Sequence, residues 1–452
     1  MMIASEGPIA DSAATTDVPN IRLDRSGNRA LPSTVGVTMS PRIERVTFPG
    51  HAGDELSARL DLPAGPPRAF ALFAHCFTCG KDLRSAGRLA AALTEAGIGV
   101  LRFDFTGVGS SEGEFGSTDF TSNADDLYAA VDYLRREHRA PQLMVGHSLG
   151  GAAVLSVAGD IAEVRAVATI GAPADTEHVT GLFDGHVSEI EGDGEACVRI
   201  AGRDIHITKG LLDDLRSHRL SEYVAGMRKP LLVIHSPVDE VVGVDHARRL
   251  FEAARHPKNF VSLDGADHLM SDPADARFAA SVIAAFAERH LVDESGALPA
   301  PEASAPVVVA ETSQGPFLNH VVVGDHRMLA DEPESYGGFD AGPAPYDFLG
   351  AALGACTTMT LRMYADRKGI PLDRVTVEVS HAKVHANDCL ECAESEAVGN
   401  RSGMIDRFER VITVEGHDLT DDDRAGLLVI ADKCPVHRTL ENASAIATRL
   451  SD

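Results

Sequence analysis

The chain reads as an α/β protein with two folded segments. The first is a mostly parallel eight-stranded sheet with helices on both faces, and the second is a smaller α+β domain. Three observations lead there. Between residues 42 and 291 short apolar runs alternate with amphipathic helical stretches, which is the grammar of a sheet covered on both sides. Residues 292–306, VDESGALPAPEASAP, carry proline, alanine, serine and acid without periodicity, as a linker does. Beyond them strands gather around one long apolar helix, the pattern of an α+β domain.

Taken in order, residues 1–40 mix Asp, Ser, Thr, Pro and Gly with few large apolar groups, the composition of a disordered tail, with Met39 a candidate start. A hairpin is expected over 43–48 and 56–62. Strands follow at 69–74, 99–103, 142–145, 165–170, 230–235 and 259–263, with helices at 83–96, 119–138 and 274–290. Between 174 and 228 the alternation breaks around a hairpin at 196–207, read as a lid over the carboxyl edge of the sheet. After the linker, strands are expected at 307–312, 318–323, 374–384 and 408–414. A helix is expected over 346–368 and a last helical region over 420–448, so the second domain spans 307–452.

At 452 residues the chain is too long for one ordinary core. A net charge of −26 disfavours nucleic acid and anionic membranes, both of which select for lysine and arginine clusters. No apolar run approaches a bilayer span, and the opening residues lack a basic-then-apolar leader, so a cytoplasmic enzyme is expected. Seven cysteines without such a leader argue for reduced thiols rather than a disulfide framework.

The segment PQLMVGHSLGG, residues 141–151, sets Ser148 between Gly146 and Gly150 directly after an apolar strand. A strand that turns sharply into a helix exposes the hydroxyl of the middle residue, and the flanking glycines leave room for the close turn. Such a nucleophile needs a base and an orienting acid, in the chain order Ser, Asp, His. Asp239 lies just past the strand at 230–235 and His268 just past that at 259–263. Both therefore reach the edge where Ser148 emerges. Glu240 and Asp245 are competing acids ranked below Asp239, and Asp267 should point elsewhere. The oxyanion of acyl transfer needs backbone N–H donors: Leu149 supplies one, and the loop AHCFTCGKD after the strand at 69–74 should supply the other, with Phe77 favoured.

That loop resembles the His-Gly-Phe-Thr-Gly loop of the α/β-hydrolase esterases, cinnamoyl and feruloyl esterases among them, with Cys76 where the family usually has glycine. RFDFTGVGSSEG, after the strand at 99–103, extends the resemblance. It implies hydrolysis of small carboxylic esters, with thioesterase and peptidase chemistry as variants.

In the long helix Leu349, Leu353, Cys356, Thr360 and Met363 are spaced 4, 3, 4 and 3, a helical stripe expected to be buried. Leu427, Ala431 and Cys434 repeat the spacing. Two buried thiols acting as small apolar residues satisfy the same pattern. DFLGAALGACTTMTLRMYA, ADKCPVHRTLE, GDHRMLADEP and GGFDAGPAPYDFLGAALGAC, however, resemble the osmotically inducible protein C (OsmC) and organic hydroperoxide resistance family. The resemblance implies Cys356 as the peroxide-attacking thiol, Cys434 as the resolving one, an intertwined homodimer, and a dithiol reductant of dihydrolipoyl type. Arg327 is the candidate cation for the thiolate. Tyr346 stands where family peroxidases often carry glutamate, and Asp347 follows it as a supporting acid.

No cofactor and no metal are called for. Cys76 with Cys79 and Cys389 with Cys392 form two C-x-x-C pairs, but they fall in different predicted domains. His381, His385, Cys389 and Cys392 also have ligand chemistry, although an exposed loop of polar and thiol residues accounts for them better.

Overall fold

The computed structural model describes residues 42–75, 80–114, 118–200, 203–385, 403–442 and 444–450. The expected tail and the candidate start at Met39 lie outside these residues.

The first segment runs β1 (Arg42–Pro49), β2 (Glu55–Leu62), β3 (Ala69–Ala74), α1 (Arg84–Glu95), β4 (Ile98–Phe103), α2 (Phe120–Glu137), β5 (Leu143–His147), α3 (Leu149–Val157) and β6 (Ala166–Ile170). An insertion follows with a 3₁₀ stretch (Glu177–His186), α4 (Val187–Asp193), a hairpin of β7 (Glu195–Ile200) and β8 (Arg203–Thr208), α5 (Lys209–Ser217) and α6 (Leu220–Met227). β9 (Leu231–His235), α7 (Asp245–Ala253), β10 (Lys258–Ser262) and α8 (Pro273–His290) complete it. The sheet order is β1-β2-β4-β3-β5-β6-β9-β10, antiparallel at the β1-β2-β4 end and parallel from there on.

β3, β4, β5, β6 and β9 are buried at every position, as strands covered on both faces must be. Two apolar layers cover them. Leu89 and Leu93 of α1 and Ile283 of α8 pack on Phe73, Val145 and Ile234. Leu127 and Leu134 of α2, Val154 of α3 and Val224 of α6 pack on the opposite face. Ile190, Val198 and Leu212 of the insertion join that second layer, so the insertion shares the main core rather than resting on it as a separate flap.

The second segment has a three-stranded antiparallel sheet of β11 (Val307–Glu311), β12 (Asn319–Val323) and β13 (His326–Ala330). α9 (Pro345–Lys368) follows, then the antiparallel pair β14 (Arg374–His385) and β15 (Met404–Glu415), α10 (Asp421–Ala431) and α11 (Pro435–Glu441). The expected last helix over 420–448 is thus two short helices. Pro435 removes a backbone donor and restarts the helix at its own first turn. Its core is small: Leu361, Ala365, Leu372, Leu427 and Ala431.

The connector is not a free tether. Gln142 bonds both the N–H and the carbonyl of Val292, Arg139 reaches the carbonyls of Pro67 and Glu294, and Glu294 N–H donates to Arg68 O. From the other side Gln314 donates to Ser295 O, His320 to Leu298 O and Arg327 to Pro301 O. Its composition gives no periodic structure, yet the carbonyls of Val292, Glu294, Ser295, Leu298 and Pro301 accept hydrogen bonds from side chains of both segments. No helix among the described residues is long and apolar enough to cross a membrane.

Candidate active sites

Ser148 sits between the last residue of β5 and the first of α3 at φ 55° and ψ −128°, a conformation a serine holds only under constraint. The glycines enforce the close approach: a Cβ on Gly146 would lie 2.4 Å from Gly151 Cα, and one on Gly150 2.3 Å from His75 O. Ser148 Oγ donates to His268 Nε2 at 2.9 Å, and His268 Nδ1–H donates to Asp239 Oδ2 at 2.8 Å. Asp239 Oδ1 accepts the N–H groups of Val241 and Val242, both at 2.9 Å. Burial alone would push the Asp239 carboxyl up, but the hydrogen bonds from His268 and these two amides outweigh it and hold it below its usual range.

The other acids fall away by geometry. Glu240 is exposed, Asp245 pairs with Arg248, and Asp267 accepts the Ser271 N–H. Leu149, first residue of α3, presents an N–H that the helix cannot itself satisfy. Phe77 and Cys76 lie outside the described residues. The downstream edge of their loop is held by a buried charge network: Lys81 N and Nζ both donate to Asp104 at 2.6 Å, and Ser110 N donates to it at 2.9 Å. Arg102 grips Asp61 through two bonds.

Two histidines that sequence reasoning passed over also flank the site. His147, wholly buried at the end of β5, donates from Nε2 to His268 O at 2.7 Å, and His235, at the end of β9, donates from Nε2 to Val242 O at 2.7 Å. Each steadies a segment carrying a member of the Ser-His-Asp line. Their signal was positional, since both end parallel strands at the carboxyl edge. Burial, reinforced by the neighbouring His268, pushes His147 down to about 4.

The unfolded chain therefore takes up a proton at this residue below about pH 6.5, while the folded chain refuses it until about pH 4. Stability from this group is fully present above pH 6.5 and lost as pH falls through that window, by up to about 3 kcal/mol. The unfolding midpoint is expected to drop as pH goes from 6.5 to 4. A His147→Asn variant should show a shallower drop, and an equal slope in both proteins would refute the assignment.

In the second segment Cys434 is fully buried and Cys356 half-buried, and both thiols are free. The expected stripe on α9 is displaced by one position. Leu353, Gly354, Thr357, Leu361 and Ala365 face the core, while Leu349 and Met363 are exposed. The apolar groups on α9 surround the helix, so more than one stripe fits the spacing. Leu427, Ala431 and Cys434 are all buried, as expected.

Arg327 lies on the third strand of its sheet, and its guanidinium is bonded to Pro301 O. Asp347 Oδ2 accepts the Ala344 N–H at the start of α9. Among the described residues no hydrogen bond joins either side chain to Cys356 or Cys434: one is drawn to the connector, the other caps its own helix.

A different arginine stands at the buried thiol. Arg410 of β15 donates to Thr357 Oγ1 at 3.0 Å and Ala431 O at 3.1 Å, and meets Asp432 at 2.9 Å and His437 Nδ1 at 2.7 Å. Thr357 Oγ1 lies 3.8 Å from Cys434 Sγ, which also accepts the His437 N–H at 3.3 Å. The alternation of Phe408, Arg410, Ile412 and Val414 along β15 was the available signal, since it places a charge on the inward row. Tyr346 stacks on His381 at 4.0 Å, and His381 Nε2 bonds Asp406 at 2.9 Å. Cys389 and Cys392 lie outside the described residues. Among the described residues no group of three or more His, Cys, Asp or Glu side chains is placed to hold a metal ion.

Residues 65–182 match the family model described as serine aminopeptidase, S33, and residues 338–449 match that of OsmC-like protein. An uncharacterized protein YfhR of Escherichia coli (strain K12) is 26% identical over 234 residues, covering 50% of this chain and 73% of that protein. The mitochondrial palmitoyl-protein thioesterase ABHD10 of Rattus norvegicus is 27% identical over 201 residues, 42% of this chain and 66% of its own length. Among solved structures, the esterase domain of a Rhodothermus marinus protein is 49% identical, covering 55% of this chain and 99% of that one at a TM-score of 0.47. Est1E of Butyrivibrio proteoclasticus with bound ferulic acid is 20% identical, covering 54% and 99% at 0.47. With the strand order and elbow in the first segment and the OsmC-like match over the second, the chain is an α/β-hydrolase joined to an OsmC-like domain.

Proposed function

We propose that the chain hydrolyses carboxylic esters at Ser148 and reduces organic hydroperoxides at Cys356 and Cys434, as a homodimer joined through residues 307–452. The observation that carries the reading is the unbroken hydrogen-bonded line from Asp239 through His268 to Ser148. His268 takes the serine proton as Oγ attacks the acyl carbon. The Leu149 N–H, with Phe77 as second donor, receives the oxyanion. The imidazolium, held by Asp239, then gives its proton to the leaving alkoxide, and water repeats the sequence to free the acid. His147 and His235, kept neutral by burial, place no competing cation beside that imidazolium.

The hydroperoxide reading is supported by an OsmC-like match that spans Cys356 and Cys434, the two free thiols among the described residues of the second segment. A Cys356 thiolate takes the terminal peroxide oxygen and releases an alcohol. The resulting sulfenic acid condenses with Cys434, and a dithiol of dihydrolipoyl type reduces the disulfide. This chemistry suits a reducing cytoplasm. A second reading, in which the OsmC-like domain pairs chains without reacting, is favoured by Tyr346, whose ring is stacked on His381 where a glutamate would serve the peroxidase. Assays of one preparation decide between them: ester hydrolysis together with hydroperoxide-dependent oxidation of dihydrolipoamide supports both activities, and ester hydrolysis alone leaves the pairing module.

Dimerisation has its own support. Met359 and Met363 are 65% and 73% exposed on α9, and Val411, Leu428 and Val429 are also exposed, in a segment whose apolar core cluster has five buried side chains. The full chain is expected to sediment as a dimer. A Met359→Asp, Met363→Asp double variant should sediment as a monomer, and a dimer of unchanged stability would move the interface elsewhere.

A further inference from the structure

We propose that Arg410, acting through the Thr357 hydroxyl, is the positioning residue that readies Cys434 to close the disulfide. The inference rests on the reading of Cys434 as the resolving thiol, and it gives that thiol an arginine of its own, distinct from Arg327, which was expected at the attacking Cys356.

Thr357 has one hydroxyl proton and two acceptors within reach: Leu353 O at 2.8 Å and Cys434 Sγ at 3.8 Å. Arg410 donates to that oxygen, so the hydroxyl proton points away from the guanidinium, toward one of these two acceptors. With a neutral thiol the shorter bond to Leu353 O wins. When the sulfur carries charge, rotation of the hydroxyl supplies a charge-assisted bond, polarised by the guanidinium behind it. Cys434 has no solvent contact, so water cannot do this instead. The His437 N–H supplies a second donor at 3.3 Å. Arg410 is fixed by Ala431 O, Asp432 and His437 Nδ1, and the other ring nitrogen of His437, Nε2, meets Glu441 at 3.0 Å.

The step served is Cys356–S–OH plus Cys434–S⁻ giving Cys356–S–S–Cys434 plus hydroxide. The Cys434 sulfur forms the new S–S bond, the S–O bond of the sulfenic acid breaks with its electron pair, and hydroxide takes a proton to leave as water. No outside oxidant is needed beyond the hydroperoxide already spent at Cys356.

The test is a single turnover of the full chain without reductant, with limiting cumene hydroperoxide and dimedone present to trap sulfenic acid. Arg410→Gln and Thr357→Val should slow disulfide closure by about tenfold, the worth of one charge-assisted hydrogen bond, and divert Cys356 into the dimedone adduct. Thr357→Ser should restore closure, and ester hydrolysis at Ser148 should be unchanged in all three. A purely structural role would not move the partition between adduct and disulfide. A parallel arm uses diamide, which oxidises dithiols without a sulfenic acid. Slowed closure with diamide in a protein that consumes no hydroperoxide upholds the role of Arg410 and removes the peroxidase reading. Equal closure rates in Arg410→Gln and the unchanged protein, or no Cys356–Cys434 disulfide with either oxidant, overturn the inference.

Discussion

Ser148→Ala is expected to abolish ester hydrolysis, with kcat/KM for p-nitrophenyl acetate falling on the order of 10⁶-fold, to the background rate. The loss is that large because Ser148 Oγ, at the elbow, lies 2.9 Å from His268 Nε2 and is the nucleophile the proposed line activates. Asp239→Asn should cost about 10⁴-fold for a different reason. An amide can turn its NH₂ toward His268 Nδ1, which selects the tautomer whose Nε2 already carries a proton and cannot accept another. Folding should survive, since the remaining amide oxygen can still accept the Val241 and Val242 N–H groups. Hydroperoxide consumption should persist in both variants, because the apolar clusters around the two sites share no residue. Turnover of the ester at the normal rate in either variant would remove the Ser-His-Asp assignment.

The hydrolase part of the fold was legible because its strands and its chemistry report on the same edge. A fully buried parallel strand is a continuous apolar run, and in β3, β5, β6 and β9 the run stops where the sheet meets the reactive loops. That placed Ser148, Asp239 and His268 together without a side-chain coordinate. His147 and His235 escaped notice because their work is done by a ring nitrogen bonded to a backbone carbonyl, a pairing no sequence spacing encodes. The anchoring of the connector by hydrogen bonds was hidden for the same reason. Its bonds come from Gln142, Arg139, Gln314 and His320, residues remote in sequence whose side chains meet its backbone.

The OsmC-like segment was less legible because α9 is apolar on most of its circumference. A helix bounded by core on one face shows one stripe, but here Thr357, Leu361 and Ala365 face the core while Met359 and Met363 stand exposed. Spacing alone chose a row containing Cys356, and the structure puts Thr357 in the core row instead. The displacement matters chemically. It leaves Cys356 partly open to a substrate and gives Cys434, deep in the fold, the Thr357 hydroxyl as neighbour.

That asymmetry sets the outcome expected for the cysteines. A hydroperoxide must reach the thiol it oxidises, and Cys356 is half-buried where Cys434 is closed to solvent, so oxidation should start at Cys356. Cys356→Ser is therefore expected to abolish hydroperoxide consumption, a loss limited only by assay background. Cys434→Ser should still consume about one equivalent, then stop and accumulate sulfinic and sulfonic acid at Cys356, because the thiol that would trap the sulfenic acid is gone. The unchanged chain should form the Cys356–Cys434 disulfide selectively although five other cysteines are present. Exposed Cys197 is the control among them: it is open to solvent but lies on β7, in the hydrolase segment. Peptide mass spectrometry after graded hydroperoxide reads all three outcomes. Were exposure alone the determinant, Cys197 would oxidise first; oxidation of Cys197, Cys389 or Cys392 ahead of an untouched Cys356 would leave the OsmC-like domain as the pairing module.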